Sequence, residues 1–120
     1  FISEYEDDWP QTQQKGKTEA IKSVLVSKYG YGPILVCGDS QGDYYMATDF
    51  LETQLTLIIN RLRTDDFAKL SIKALEEKGK EDSRYVMQGR DENKGEFRPD
   101  EATIKMGKDE AKLLNAALEN

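Results

Sequence analysis

Ile34-Leu35-Val36-Cys37-Gly38-Asp39-Ser40-Gln41-Gly42-Asp43 is an apolar run of strand length that opens into a loop of two glycines and two aspartates. An apolar run with no polar alternation predicts a central strand of a parallel sheet rather than an edge. Upstream, Ala20, Ile21, Val24, Leu25 and Tyr29 recur at helical spacing between Lys17 and Tyr29. Gly30, Gly32 and Pro33 end that helix. Helix, short loop and buried strand together make an α/β unit.

Working outward, a short helical stretch through Phe50 leads to a second apolar strand, Leu55 to Ile59. Thr64 is placed to cap a helix from Asp65 to about Lys78, with two acids in its first turn and Gly79 at its end. Short strands are expected at Tyr85–Gln88, Glu96–Arg98 and Thr103–Met106, then an amphipathic helix from about Lys108 to Leu118. Residues 1–15 are polar and acidic and read as a short strand or loop. No repeat, low-complexity tract or linker divides the chain, so a single α/β domain is expected over residues 1–120.

Composition excludes several functions. The 120 residues carry 23 acidic and 17 basic side chains and no histidine, which removes histidine-based triads and histidine-ligated zinc. A net charge of −6 speaks against a sequence-independent grip on nucleic acid. No apolar run approaches the roughly 18 residues of a membrane span. The single cysteine, Cys37, has no internal disulfide partner and leaves the compartment open. Residues 1–60 hold 9 acids against 4 bases, whereas 61–120 hold 14 against 13. A divalent cation is therefore most welcome in the first half.

Two patterns imitate known sites and fail on spacing. Gly16-Lys17-Thr18 lacks the glycine five residues earlier that a phosphate-binding loop needs, since Gln11 stands there. Asp91-Glu92-Asn93-Lys94-Gly95 places its glycine one position too early for a calcium loop and reads as a turn between short strands. The loop after the first strand differs from both. In open parallel sheets, ligands bind beyond the carboxyl ends of the strands, and Asp39 and Asp43 sit at such an end. Two carboxylates on one small loop repel each other unless a cation holds them, and oxygen ligands suit magnesium. A plainer alternative is that Asp39 or Ser40 caps the next helix. Lys17, at the start of the preceding helix, is placed to offer its charge over the same strand end.

Lys17-Thr18-Glu19-Ala20-Ile21, followed by Ile34 to Asp43 and Met46, resembles the third and fourth motifs of the haloacid dehalogenase-like phosphatase superfamily. Within it, the pattern is similar to the phosphoserine and phosphorylcholine phosphatase branch. The resemblance spans residues 15–60 in order and spacing. It implies a Rossmann-like parallel sheet with helices on its faces, and magnesium-dependent hydrolysis of small phosphomonoesters through an aspartyl-phosphate. Asp39 would bind Mg2+ directly, Asp43 would bind or orient its water shell, and Lys17 would neutralise the transferring phosphoryl group. Ser40 and Gln41 would contact the phosphorylated substrate.

The family's nucleophile belongs to an Asp-x-Asp motif ahead of these residues, and no Asp-x-Asp occurs in the chain. The second-motif serine or threonine and the cap segment have no counterpart either. The chain is therefore expected to be the C-terminal part of such an enzyme, inactive alone, partnered by the N-terminal part of the same protein or by another copy. Its inner strands would otherwise leave an unpaired edge. Two rivals stand beside this expectation: a non-catalytic α/β interaction or structural module whose aspartates only cap a helix, and another doubly wound domain of response-regulator type. The latter needs an acidic pair at a strand end, and Asp7-Asp8 has no such strand.

Overall fold

The computed structural model describes residues 12–115. Its first helix begins as α1, Lys15–Ala20, widens into π geometry over Ile21–Val26 and closes as α2, Ser27–Tyr29. Within the wide stretch the Ser27 hydroxyl donates to the Lys22 carbonyl five residues back, 3.2 Å away. Gly30 then stops the helix in the left-handed region at φ 82°, where a side chain would be strained.

Six strands follow: β1 Leu35–Gly38, β2 Leu55–Asn60, β3 Tyr85–Asp91, β4 Glu96–Phe97, β5 Thr103–Ile104 and β6 Ala111–Lys112. Strands β1, β2, β3 and β5 run parallel and adjacent in that order, while β4 pairs antiparallel with β3 and β6 with β5. The register sets Leu35 beside Leu55, Cys37 beside Leu57, and Leu57 beside Val86. Helix α3, Tyr44–Thr48, connects β1 to β2, and α4, Phe67–Glu76, connects β2 to β3. Both connections join parallel neighbours, so the architecture is a Rossmann-like α/β fold.

The core lies on one face of this sheet. Val36 of β1 and Ile58 of β2 pack with Ala47 of α3 and with Phe67, Leu70 and Ala74 of α4. The buried α4 positions follow helical spacing, with Phe67 and Ser71 on the same stripe one turn apart. The opposite face carries Leu35, Cys37, Leu55, Leu57, Ile59 and Val86, and no helix among the described residues covers it. Leu35 is 55% exposed and Val86 49%. No helix among these residues is long and apolar enough to cross a membrane.

Three expectations need correction. The Ile34–Cys37 run forms an edge strand among the described residues, not a central one, because hydrophobicity reports the demand for cover and not what supplies it. Thr64 does not cap α4: the Phe67 N–H is accepted by Gln41 Oε1 at 3.0 Å and by Asp65 Oδ1 at 3.1 Å. Helix does not begin at Lys108. Residues 111–112 pair as β6 with β5, and helix starts only at Leu114, which is fully buried beside Leu62 and Ala68. The rest of that expected helix, residues 116–118, lies outside the described residues, as do residues 1–11. Asp91 to Gly95 is a turn, with the Asp91 carboxylate accepting the Asn93 and Lys94 amides at 2.9 and 3.2 Å.

The end of β2 is fixed by Asn60, which is 1% exposed. Its side chain donates to the Glu101 carbonyl at 2.8 Å and accepts the Leu62 amide at 3.0 Å. The Thr103 hydroxyl donates to its carbonyl. Asn60→Ala leaves the buried Leu62 amide and the half-buried Glu101 carbonyl without that partner and is expected to destabilise the fold by about 3 kcal/mol, read from the urea midpoint at constant m.

Candidate active site

Beyond β1 the chain turns through Asp39 and an extended Ser40 into a single 3-10 turn, Gln41–Asp43, which runs on into α3. This tight return folds the Asp43 side chain back over Gly38. A β-carbon on Gly38 would stand 2.6 Å from Asp43 Cβ, so only glycine fits beneath it. Asp43 is buried, and both its oxygens are taken. Oδ2 accepts the Asp39 amide at 3.0 Å, and Oδ1 accepts the Lys17 ammonium arriving from α1. Lys15, two residues earlier, lies 5.1 Å from the Tyr45 ring and helps seat α1 against α3.

The sites expected from the sequence therefore converge in part. Lys17, Asp39, Ser40 and Asp43 lie together at the carboxyl end of β1. Gln41 sits in the same loop, but its side chain reaches away to the start of α4: Oε1 takes the Phe67 amide, and Nε2 donates to Asp66 at 3.4 Å. Any contact it makes beyond the loop falls to its backbone.

A row of charges went unread in the sequence. The first residue beyond each parallel strand is an acid or a base, and the two kinds alternate: Asp39 after β1, Arg61 after β2, Glu92 after β3 and Lys105 after β5. Arg61 Nη1 donates to Asp39 Oδ2 at 3.0 Å and its Nε to Glu92 Oε1 at 3.2 Å, while Lys105 Nζ stands 4.0 Å from that Glu92 oxygen. The signal was the rule that ligands collect at strand ends. It located Asp39, and the same rule applied past Asn60, Asp91 and Ile104 finds the other three.

Burial by itself would raise the Asp43 carboxyl. The Lys17 hydrogen bond outweighs it together with the Asp39 amide, the Lys17 charge and the Ser40 backbone, and these hold the group below its ordinary value of 3.8. The hydrogen bonds from Arg61 to Glu92 and then to Asp39 raise the guanidinium.

The donor set fits magnesium in part. Asp39 keeps Oδ1 without a hydrogen bond among the described residues and is partly exposed, as an oxygen ligand for a hard cation must be. Asp43 lies behind it with both oxygens engaged. Among the described residues no three acidic or cysteine side chains gather as a metal cluster, and of the two aspartates Asp39 alone keeps an oxygen open to a cation.

With this geometry in view, a crystal structure of a conserved functionally unknown protein from Anaerococcus prevotii DSM 20548 matches the chain at TM-score 0.73 and 35% identity. The match covers 85% of this chain and 26% of that one, so the chain spans about a quarter of that protein's length. The α/β fold is thus shared with a solved structure. No family model and no curated protein matches the sequence.

Because the Asp43 carboxyl is depressed on folding, its contribution is complete above the unfolded value near 3.8 and is lost as pH falls through the lower folded value. Asp43→Asn is expected to flatten the stability–pH curve below about pH 4, where the parent chain loses stability, and to lower the plateau above it; urea unfolding across pH 2.5–7 reads both.

Proposed function

We propose that this chain is the C-terminal part of a magnesium-dependent phosphatase acting on small phosphomonoesters, its nucleophilic carboxylate lying outside these 120 residues. The observation that carries this is the Lys17–Asp43 pair set beside Asp39 at the carboxyl end of β1. A lysine brought 26 residues along the chain to a buried carboxylate does more than cap a turn: it presents a fixed cation where a phosphoryl group would arrive. Asp39 offers the open carboxylate oxygen for Mg2+, and Asp43 fixes both the Lys17 ammonium and the Asp39 backbone. The Ser40 hydroxyl and the Gln41 backbone line the same loop for the substrate. Bound magnesium would supply the charge that offsets the phosphoryl oxygens.

A second reading, a non-catalytic α/β interaction module, is favoured by one observation: both Asp43 oxygens already serve to lock the turn. Magnesium separates the two. The phosphatase gains thermal stability with Mg2+ and hydrolyses phosphomonoesters, whereas the module does neither.

The phosphatase reading also assigns an occupant to the uncovered side of the sheet, namely further strand and helix from the same protein. Leu35 is 55% exposed, and Leu55 and Val86 extend that apolar surface across three strands. Exposed apolar area on that scale beside an open strand edge calls for a covering partner. A solved structure of the same fold has a chain about four times as long as the matched region, which is room for such cover.

In the full-length protein, Asp39→Ala is expected to lower Mg2+-dependent phosphomonoester hydrolysis by about a hundredfold or more while the unfolding midpoint stays nearly constant. Full activity in that variant overturns the assignment. Hydrogen exchange checks the cover: β1 amides protected as well as those of β2 support a strand docked along β1, and fast exchange at β1 refutes it.

A further inference from the structure

The row of alternating charges at the strand ends is not a chance surface pairing, because the backbone is built to deliver Arg61. Leu62, the next residue, sits in the left-handed region at φ 55°, a conformation that a leucine rarely adopts because its β-carbon crowds the following carbonyl. Three things hold it there. Its amide is accepted by the buried Asn60 side chain, and its own side chain packs against Ala68 and Leu114. Asn60 is tied in turn to the Glu101 carbonyl. Strain held in place this way beside a charged residue marks a position the fold has over-determined. The consequence is a sharp turn directly after β2, with the guanidinium standing between Asp39 and Glu92.

Arg61 meets its two acids unequally. Glu92 has a side chain only 10% exposed and is approached by Lys105 as well, whereas Asp39 is 40% exposed and holds nothing else on its side chain among the described residues. The half-exposed pair is the weaker one, since solvent screens it. Different nitrogens serve the two acids, Nη1 for Asp39 and Nε for Glu92. Arg61 can therefore release Asp39 without releasing Glu92.

We propose that Arg61 is a positioning residue of the Asp39 site: it is the counter-charge of Asp39 until a divalent cation arrives, then yields that carboxylate and stays on Glu92. This rests on the phosphatase reading for the identity of the cation. Arg61 and Glu92 then set cation affinity in opposite directions. Removing Arg61 removes a competitor and a repelling charge; removing the Glu92 charge leaves Arg61 with Asp39 as its one full partner and strengthens the competition.

The test is calorimetric titration of the full-length protein with Mg2+ alone, without substrate. Arg61→Met is expected to bind Mg2+ about three- to tenfold more tightly than the parent, and Glu92→Gln about threefold more weakly. Arg61→Lys, which keeps the charge and most of the stem but cannot bridge two acids, falls between the parent and Arg61→Met and guards against a variant that fails to fold. The decisive comparison is the double variant. If Glu92 acts through Arg61, Glu92→Gln changes nothing in the Arg61→Met background. An equal loss in both backgrounds means Glu92 acts only through its field, and the proposal fails. Unchanged or weaker binding by Arg61→Met also overturns it and leaves the phosphatase reading standing. A parent protein that binds no Mg2+ overturns both.

Discussion

The Asp43 carboxylate is the point on which the rest of the site depends. It is buried, it is reached by an ammonium from a helix 26 residues away, and it closes its own loop through the Asp39 amide. Gly38 makes this possible by offering no β-carbon where Asp43 must lie. Without the Asp43 carboxylate, α1 would lose its charged tether to the β1–α3 loop, and Asp39 would lose the hydrogen bond that fixes its backbone. A buried acid left without its partner is among the costlier defects a small fold can carry. The same contact therefore serves folding and the placement of Asp39.

The parallel sheet does the remaining work of assembly. Because β1, β2, β3 and β5 run the same way, residues far apart in the chain leave the sheet on one side and meet there. Nothing local connects Asp39 to Glu92 or Glu92 to Lys105; the topology does. Acid and base alternate across the strand order, so each charge has a neighbour of opposite sign and the row carries little net charge. Helices pack on one face of the sheet, and among the described residues the other apolar face stays open.

Much of this was legible in the sequence, and the failures have physical causes. Helical spacing and the glycine stop found the first helix; apolar runs found β1 and β2; the Asp91–Gly95 turn followed from its own side-chain chemistry. Lys17, Asp39 and Asp43 could be paired because a helix–strand unit has a predictable geometry. The cap of α4 could not, since Gln41 lies 26 residues from the amide it accepts and Thr64 stood in the obvious place. The expected helix from Lys108 failed for the converse reason. Its spacing suits a helix, but pairing with β5 holds Ala111 and Lys112 extended. Arg61 was missed because its importance arises from the strand on either side of it.

The π-helical stretch Ile21–Val26 has a bearing on how this site tolerates change. A wider winding alters the rotational phase between the two ends of the helix, and in ordinary α geometry each residue is worth about 100° of turn. Lys17 and Tyr29 are therefore matched across the widened region and not by a uniform screw. A shortening by one residue within 21–26 would be harmless to the helix as a helix, since the remaining chain could wind as plain α. It would nonetheless swing the lysine off the azimuth that meets Asp43. Length in this segment therefore carries information that composition does not: the helix can be rewritten residue by residue, but not recounted.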